Sequence, residues 1–252
     1  MAISQRQARC GSALVLALLS SSLFAQTITD SPQANSIVQI VLRSADNQFV
    51  NQGTGFVISN DGLIATAFHV YAAAVKTVSD ARGATLQVRR VTRTGHAAAS
   101  SVEIAGSDPQ FDLIVLRVPK DSIPDWASVG GLVPLNLSSK AEIRLPLPAH
   151  TIGYFGGDVT PDYLRCDVSG TGGVALGPPR GTVEELLLSG LLLPGHSGSP
   201  VIDDEDGAVV GVVSSIVPAN LPFNPSQLVH SGLAKAVKVE HLKTILNSIG
   251  SK

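Results

Sequence analysis

Gly53-Thr54-Gly55-Phe56-Val57-Ile58-Ser59-Asn60-Asp61-Gly62-Leu63-Ile64-Ala65-Thr66-Ala67-Phe68-His69-Val70 sets the fold class of this chain. Two apolar runs, Gly55–Ser59 and Leu63–Thr66, flank the turn Asn60-Asp61-Gly62, a pattern that predicts an antiparallel hairpin with His69 at the end of a buried strand. Similar short runs recur at Ile37–Arg43, Thr85–Val91, Val102–Ala105, Leu113–Val118, His150–Tyr154, Leu164–Val168, Thr182–Leu188, Pro200–Ile202, Ala208–Ser214 and Gly232–Ala236. The Gly, Pro and Asp residues between them argue for an all-β barrel or sandwich over an alternation of strands and helices. One segment differs. In Val239–Ile249, the residues Leu242, Ile245, Leu246 and Ile249 recur at helical spacing and predict an amphipathic terminal helix packed on the core.

Composition agrees with that reading. Of 252 residues, 44% are hydrophobic and 15% charged, enough for one large domain or two packed lobes; 24 Gly and 15 Pro suit many short strands joined by turns. Arg6 and Arg9 precede a nearly apolar run from Ala13 to Phe24, and Ala25 offers a small residue before Gln26. Residues 1–25 therefore read as a secretory signal peptide, because the apolar run falls short of the roughly 18 to 20 residues a spanning anchor needs. Its removal takes Arg6 and Arg9 from the 18 basic side chains and none of the 20 acidic ones, so 16 remain and the net charge becomes −4. No Lys/Arg cluster is dense enough to neutralise a row of phosphates, so nucleic acid is not an expected partner. Nor is a membrane, once the signal is cleaved. Cys10 leaves with the signal, and Cys166 then lacks an intramolecular partner; it is expected as a small buried apolar residue. A disulfide-free secreted chain points to bacterial export, secreted or periplasmic. Residues 26–35 are polar and turn-rich, a flexible arm before a domain spanning 36–252.

The chemistry concentrates in Leu193-Pro194-Gly195-His196-Ser197-Gly198-Ser199-Pro200-Val201-Ile202. A serine between glycines can sit on a tight turn with its hydroxyl exposed, and the N–H groups of Gly195 and Ser197 can stabilise a developing oxyanion. A glycine-rich β-turn without chemistry reads equally well from this string alone. The nucleophile elbow of α/β-hydrolases is excluded, since Ser199 stands where that motif has glycine and Pro200-Val201-Ile202 blocks the helix that must follow. A serine nucleophile needs a histidine base oriented by a carboxylate. His69 at the end of its strand and Asp112, directly before the apolar run Leu113-Ile114-Val115-Leu116, are the candidates, whereas Asp108 before Pro109 reads as an ordinary turn residue.

With those residues in hand, the chain resembles the trypsin-like, chymotrypsin-fold serine proteases, in particular the bacterial HtrA/Deg and glutamyl-endopeptidase branches. Gly53–Ser59 with Gly62–Val70 carries the histidine motif, Phe111–Val118 the aspartate motif and Gly195–Pro200 the serine motif, and the similarity continues through Asp206–Ser214 and Ser231–Ala234. The resemblance covers roughly residues 36–249. It implies two six-stranded antiparallel barrels, near 36–140 and 141–238, followed by a helix at 239–249. It also implies a secreted serine endopeptidase acting on protein or peptide substrates through an acyl-enzyme, with His69, Asp112 and Ser197 as triad, Gly195 and Ser197 as oxyanion donors, and no metal or organic cofactor. Ser214 would bond the aspartate, and Ser214, Ser215 and Ile216 would pair with substrate backbone. Leu191 would stand at the base of the specificity pocket, with Gly232 on one wall and Ile216 narrowing the entrance. That arrangement would reject Lys and Arg and favour small or medium aliphatic side chains; His230 would instead suit a glutamyl substrate.

Two positions depart from the family pattern. His196 stands where Asp or Asn is usual, a loop residue whose ring replaces amide hydrogen bonds or, in the other reading, a second base. Phe68 is bulkier than the usual residue before the histidine. The PDZ module usual in HtrA proteins is not seen, and the sequence makes no statement about oligomeric state. The rival function is a catalytically dead homologue that uses its cleft as a protein-binding module.

Overall fold

The computed structural model describes residues 32–250 except 81–82, 157, 176–181 and 222–223. The expected signal peptide and the first part of the expected arm lie outside the described residues. The end of that arm is structured: Pro32–Ser36 form a 3₁₀ turn with Ala34 and Ser36 buried.

Two antiparallel sheets carry the fold. The first comprises β1 (Ile37–Arg43), β2 (Phe49–Val57), β3 (Leu63–Ala67), β4 (Thr85–Val91), β5 (Ala97–Ser101), β6 (Glu103–Asp108) and β7 (Leu113–Arg117), in the order β5-β4-β1-β2-β3-β7-β6. Helix α1 (Phe68–Asp80) leaves β3 directly. The second comprises β8 (Ala149–Gly153), β9 (Asp162–Arg165), β10 (Asp167–Ala175), β11 (Thr182–Ser189), β12 (Pro200–Asp203), β13 (Val209–Leu221) and β14 (Asn224–Lys238), in the order β10-β11-β14-β13-β12-β8-β9. Helix α2 (Val239–Gly250) follows.

Each sheet has seven strands, yet each closes as a six-stranded barrel. The two edge strands of the first sheet, β5 and β6, are one run of chain broken only at Val102; those of the second, β9 and β10, are one run broken only at Cys166. A single bent strand thus pairs with both ends of its sheet, which removes the open edges. At the second bend the Cys166 N–H bonds Ala149 O (3.0 Å), and an isolated bridge pairs Leu147 with Val168. Cys166 is fully buried, and burial pushes its thiol up to about 12, which leaves it an un-ionised apolar filler.

Side chains alternate across a strand with period two, and here both faces are buried. Ile64 in β3 and Ile114 and Leu116 in β7 fill the first barrel, whereas their neighbours Leu63, Ala65, Leu113 and Val115 turn outward into a core shared with Ile152, Ile202, Val212 and Val237 of the second. That explains the unbroken apolar run at 113–116. Val239, Leu242 and Ile245 of α2 enter the same shared core, as the helical spacing predicts.

Candidate active site

Asp112 owes its position to local geometry. Asp108 caps the 3₁₀ turn Pro109–Phe111 by accepting the Gln110 N–H (3.1 Å), the turn-residue role its sequence suggests. The chain then enters the left-handed region at Asp112 (φ 53°, ψ 38°), a conformation that Asp tolerates better than most residues. The result aims the Asp112 carboxylate at the start of α1. Oδ1 accepts the His69 N–H at 2.8 Å and Oδ2 accepts from the His69 ring at Nδ1, also at 2.8 Å. Because a carboxylate only accepts, Nδ1 carries the proton and Nε2 is left with a free lone pair. Ser214 Oγ donates to the same Oδ2 at 2.8 Å. His69 is not at the end of a strand: β3 stops at Ala67, and His69 is the second residue of α1.

Ser197 lies on a loop laced to both barrels. Its carbonyl accepts the Thr54 N–H of β2 (2.9 Å); Gly198 N–H donates to Val213 O (2.8 Å), and Val213 N–H returns a bond to Ser199 O (2.9 Å). Gly198 has φ +86°, and a Cβ there would fall 2.1 Å from Thr54 O and 2.2 Å from Thr66 Oγ1, so only glycine permits this approach. Among the described residues the Ser197 hydroxyl makes no hydrogen bond, which leaves it free to rotate.

One cleft of about 310 Å³ is lined by His69 from the first barrel and by Leu192, Leu193, Pro194, His196, Ser197, Val213, Ser214, Ser215 and Ile216 from the second. Of the sequence-derived candidates, His69, Ser197, Ser214, Ser215 and Ile216 therefore meet there, with Asp112 behind His69. Gly195 sits on the turn before the serine. Leu191 is placed elsewhere: it is 59% exposed and does not line the cleft, while Leu192 is fully buried against it. The cause is a tight turn in which Gly190 N–H bonds Gly232 O (2.9 Å) and Leu192 N–H bonds Gly190 O (3.1 Å), rotating Leu191 outward. Gly232 is thereby a backbone anchor of that wall. His230 belongs to β14 opposite Pro218, and its side chain lies outside the described residues.

His196 is buried in the cleft wall, with Nδ1 3.1 Å from Leu193 O. Burial holds its pKa below the ordinary histidine value, opposed in part by the bond to Leu193 and the charge of Asp162. Nδ1 thus ties the ring to its own loop, while Nε2 is buried without a hydrogen-bond partner among the described residues.

A family model described as a trypsin-like peptidase domain matches residues 53–212. The serine protease PepD of Mycobacterium tuberculosis is 29% identical over 204 residues, covering 79% of this chain and 41% of that protein. A probable periplasmic serine endoprotease, DegP-like, of Hahella chejuensis is 27% identical over 208 residues, covering 82% of this chain and 37% of the other. This chain thus spans less than half the length of these relatives. Among solved structures, that of Deg5 superposes with a TM-score of 0.59 at 21% identity, covering 84% of this chain and 87% of the other, a likeness of fold. The double-barrel architecture, the three motif segments and the family match agree: the chain belongs to the trypsin-like peptidase family.

Proposed function

We propose that this protein is a serine endopeptidase in which Ser197 attacks the scissile carbonyl, His69 takes and returns the proton, and Asp112 orients the imidazole. The observation that carries the reading is the Asp112 carboxylate, which receives His69 Nδ1 and Ser214 Oγ at 2.8 Å each, in a cleft that Ser197 also lines. The carboxylate fixes the tautomer that leaves Nε2 as base, and an acyl-enzyme on Ser197 is then hydrolysed by water. The N–H groups of Gly195 and Ser197, which donate to no described residue, serve the oxyanion.

Protein or peptide chains are the proposed substrates. Among the described residues no carboxylate, lysine or arginine lines the cleft, and Leu192, Val213 and Ile216 are among its walls. An unpaired Lys or Arg would lose its hydration there without a partner, so small or medium aliphatic side chains before the cut fit best. Export follows from residues 1–25 on the same reading; no helix among the described residues is long and apolar enough to cross a membrane.

The test is labelling with a fluorophosphonate. Folded wild type should be labelled at Ser197, and Ser197→Ala should lose both labelling and peptide hydrolysis. Folded wild type that resists the reagent would overturn the assignment in favour of a binding module without activity.

A further inference from the structure

The turn that precedes Ser197 has each of its carbonyls tied. Leu193 O accepts the His196 N–H at 3.1 Å, Pro194 O accepts the Gly156 N–H at 3.3 Å, and His196 O accepts the Ser199 N–H at 2.9 Å. Gly195 O accepts the hydroxyl of Thr54 at 2.7 Å. In a planar trans peptide the N–H points opposite to the C=O. The Gly195 N–H is therefore turned away from Gly156, and the Ser197 N–H away from Ser199. Neither donates to any described residue.

Sequence does not fix that orientation. Proline at the second turn position suits type I and type II alike, and the two differ by a flip of the Pro194–Gly195 peptide. The third position, Gly195 at φ +107°, takes the type II form. A flip would move the Gly195 N–H to the opposite side. The carbonyl of the flipping peptide itself, Pro194 O, is held by the Gly156 N–H, while the carbonyl of the next peptide, Gly195 O, which must shift with any such flip, is held by a side chain.

That side chain is Thr54, fully buried in β2. Its hydroxyl accepts the Tyr154 N–H (2.9 Å), so its single proton is committed to Gly195 O. Its own N–H holds Ser197 O (2.9 Å), and its carbonyl accepts from Thr66 Oγ1 (2.6 Å). One residue of the first barrel thus grips the carbonyls on both sides of His196 and the end of β8 as well. We propose that Thr54 is a positioning residue that keeps the oxyanion turn in its donating conformation. This rests on the reading of Ser197 as nucleophile.

The experiment compares wild type with Thr54→Val, which keeps shape but removes the hydroxyl, and Thr54→Ser, which restores it. For a peptide amide substrate, kcat of Thr54→Val should fall by about 10² or more, the scale of losing an oxyanion donor, with KM within about twofold. Affinity for a peptide aldehyde, which forms the oxyanion on binding, should fall in parallel, and Thr54→Ser should recover most of kcat. Thermal unfolding checks that each variant is folded; if the valine variant is not, Thr54→Ala takes its place in the same comparison. Full kcat in a folded variant without the hydroxyl, or a loss confined to KM, overturns the proposal. So does a serine variant as impaired as valine. Absence of fluorophosphonate labelling in wild type would instead defeat the protease reading itself, so the two failures are distinguishable.

Discussion

At the residue scale, the burial of His196 makes stability depend on pH. Its folded pKa lies below the unfolded value, chiefly through burial, as does that of His241. Below the ordinary histidine pKa of about 6.5 the unfolded chain binds protons that the folded chain refuses, so stability is lost as pH falls from about 6.5 toward the depressed folded values. Melting temperature should decline between pH 7 and 5, and His196→Asn should decline less steeply over the same range; identical slopes would contradict the buried-neutral assignment. Ser197, His69 and Asp112 were singled out by three motif strings taken together with the family resemblance, since the serine string alone read equally well as a plain turn. Leu191 was misplaced, since a register read from chain spacing cannot anticipate the turn at Gly190 that exchanges Leu191 for Leu192. Thr54 went unremarked inside the very hairpin that sets the fold, because its partners lie 100 and 141 residues away.

At the scale of elements, the strands with strong apolar patterning, β1 and β4, fall where the sequence places them. Helix α1 was invisible for a physical reason. Local helix starts are recognised by a capping Ser, Thr, Asp or Asn, whereas here the His69 N–H is capped by Asp112, 43 residues away. Strand β5, Ala97–Ser101, is built of alanine and serine, which carry little strand preference. The terminal helix was legible through its stripe. Leu242 is fully buried in the shared core, and Leu242→Ala should cost roughly 2 to 5 kcal/mol in denaturant unfolding. A cost under about 1 kcal/mol would show that α2 merely lies on the surface. Phe111, one residue before Asp112, stacks on His241 of α2 with ring centroids 3.7 Å apart, so this helix also steadies the loop that presents the carboxylate.

For the whole molecule, the core shared by the two barrels predicts that they unfold as one cooperative unit. Trp126, the single tryptophan of the chain, is buried in the core of the first barrel. Its fluorescence reports that barrel, while far-UV circular dichroism reports the strands of both. If the lobes unfold together, the two denaturant transitions coincide; separated midpoints would mean that the barrels melt independently. Composition allowed one large domain or two packed lobes and the family resemblance implied two barrels, but neither indicated that alternate residues of the same strands serve a private and a common interior.

The connection between the barrels has a practical consequence. Ala141 and Glu142 are exposed and lie between β7 and β8, outside every strand. A chain interrupted there would keep each barrel closure covalently whole while parting His69 and Asp112 from Ser197. Each fragment would display half of an interior it cannot cover alone, and that wet apolar face would become the recognition surface by which the fragments find each other. On the proposed triad, hydrolysis would then signal the co-presence of two polypeptides, so the fold is laid out as a conditional gate that opens only when both inputs arrive.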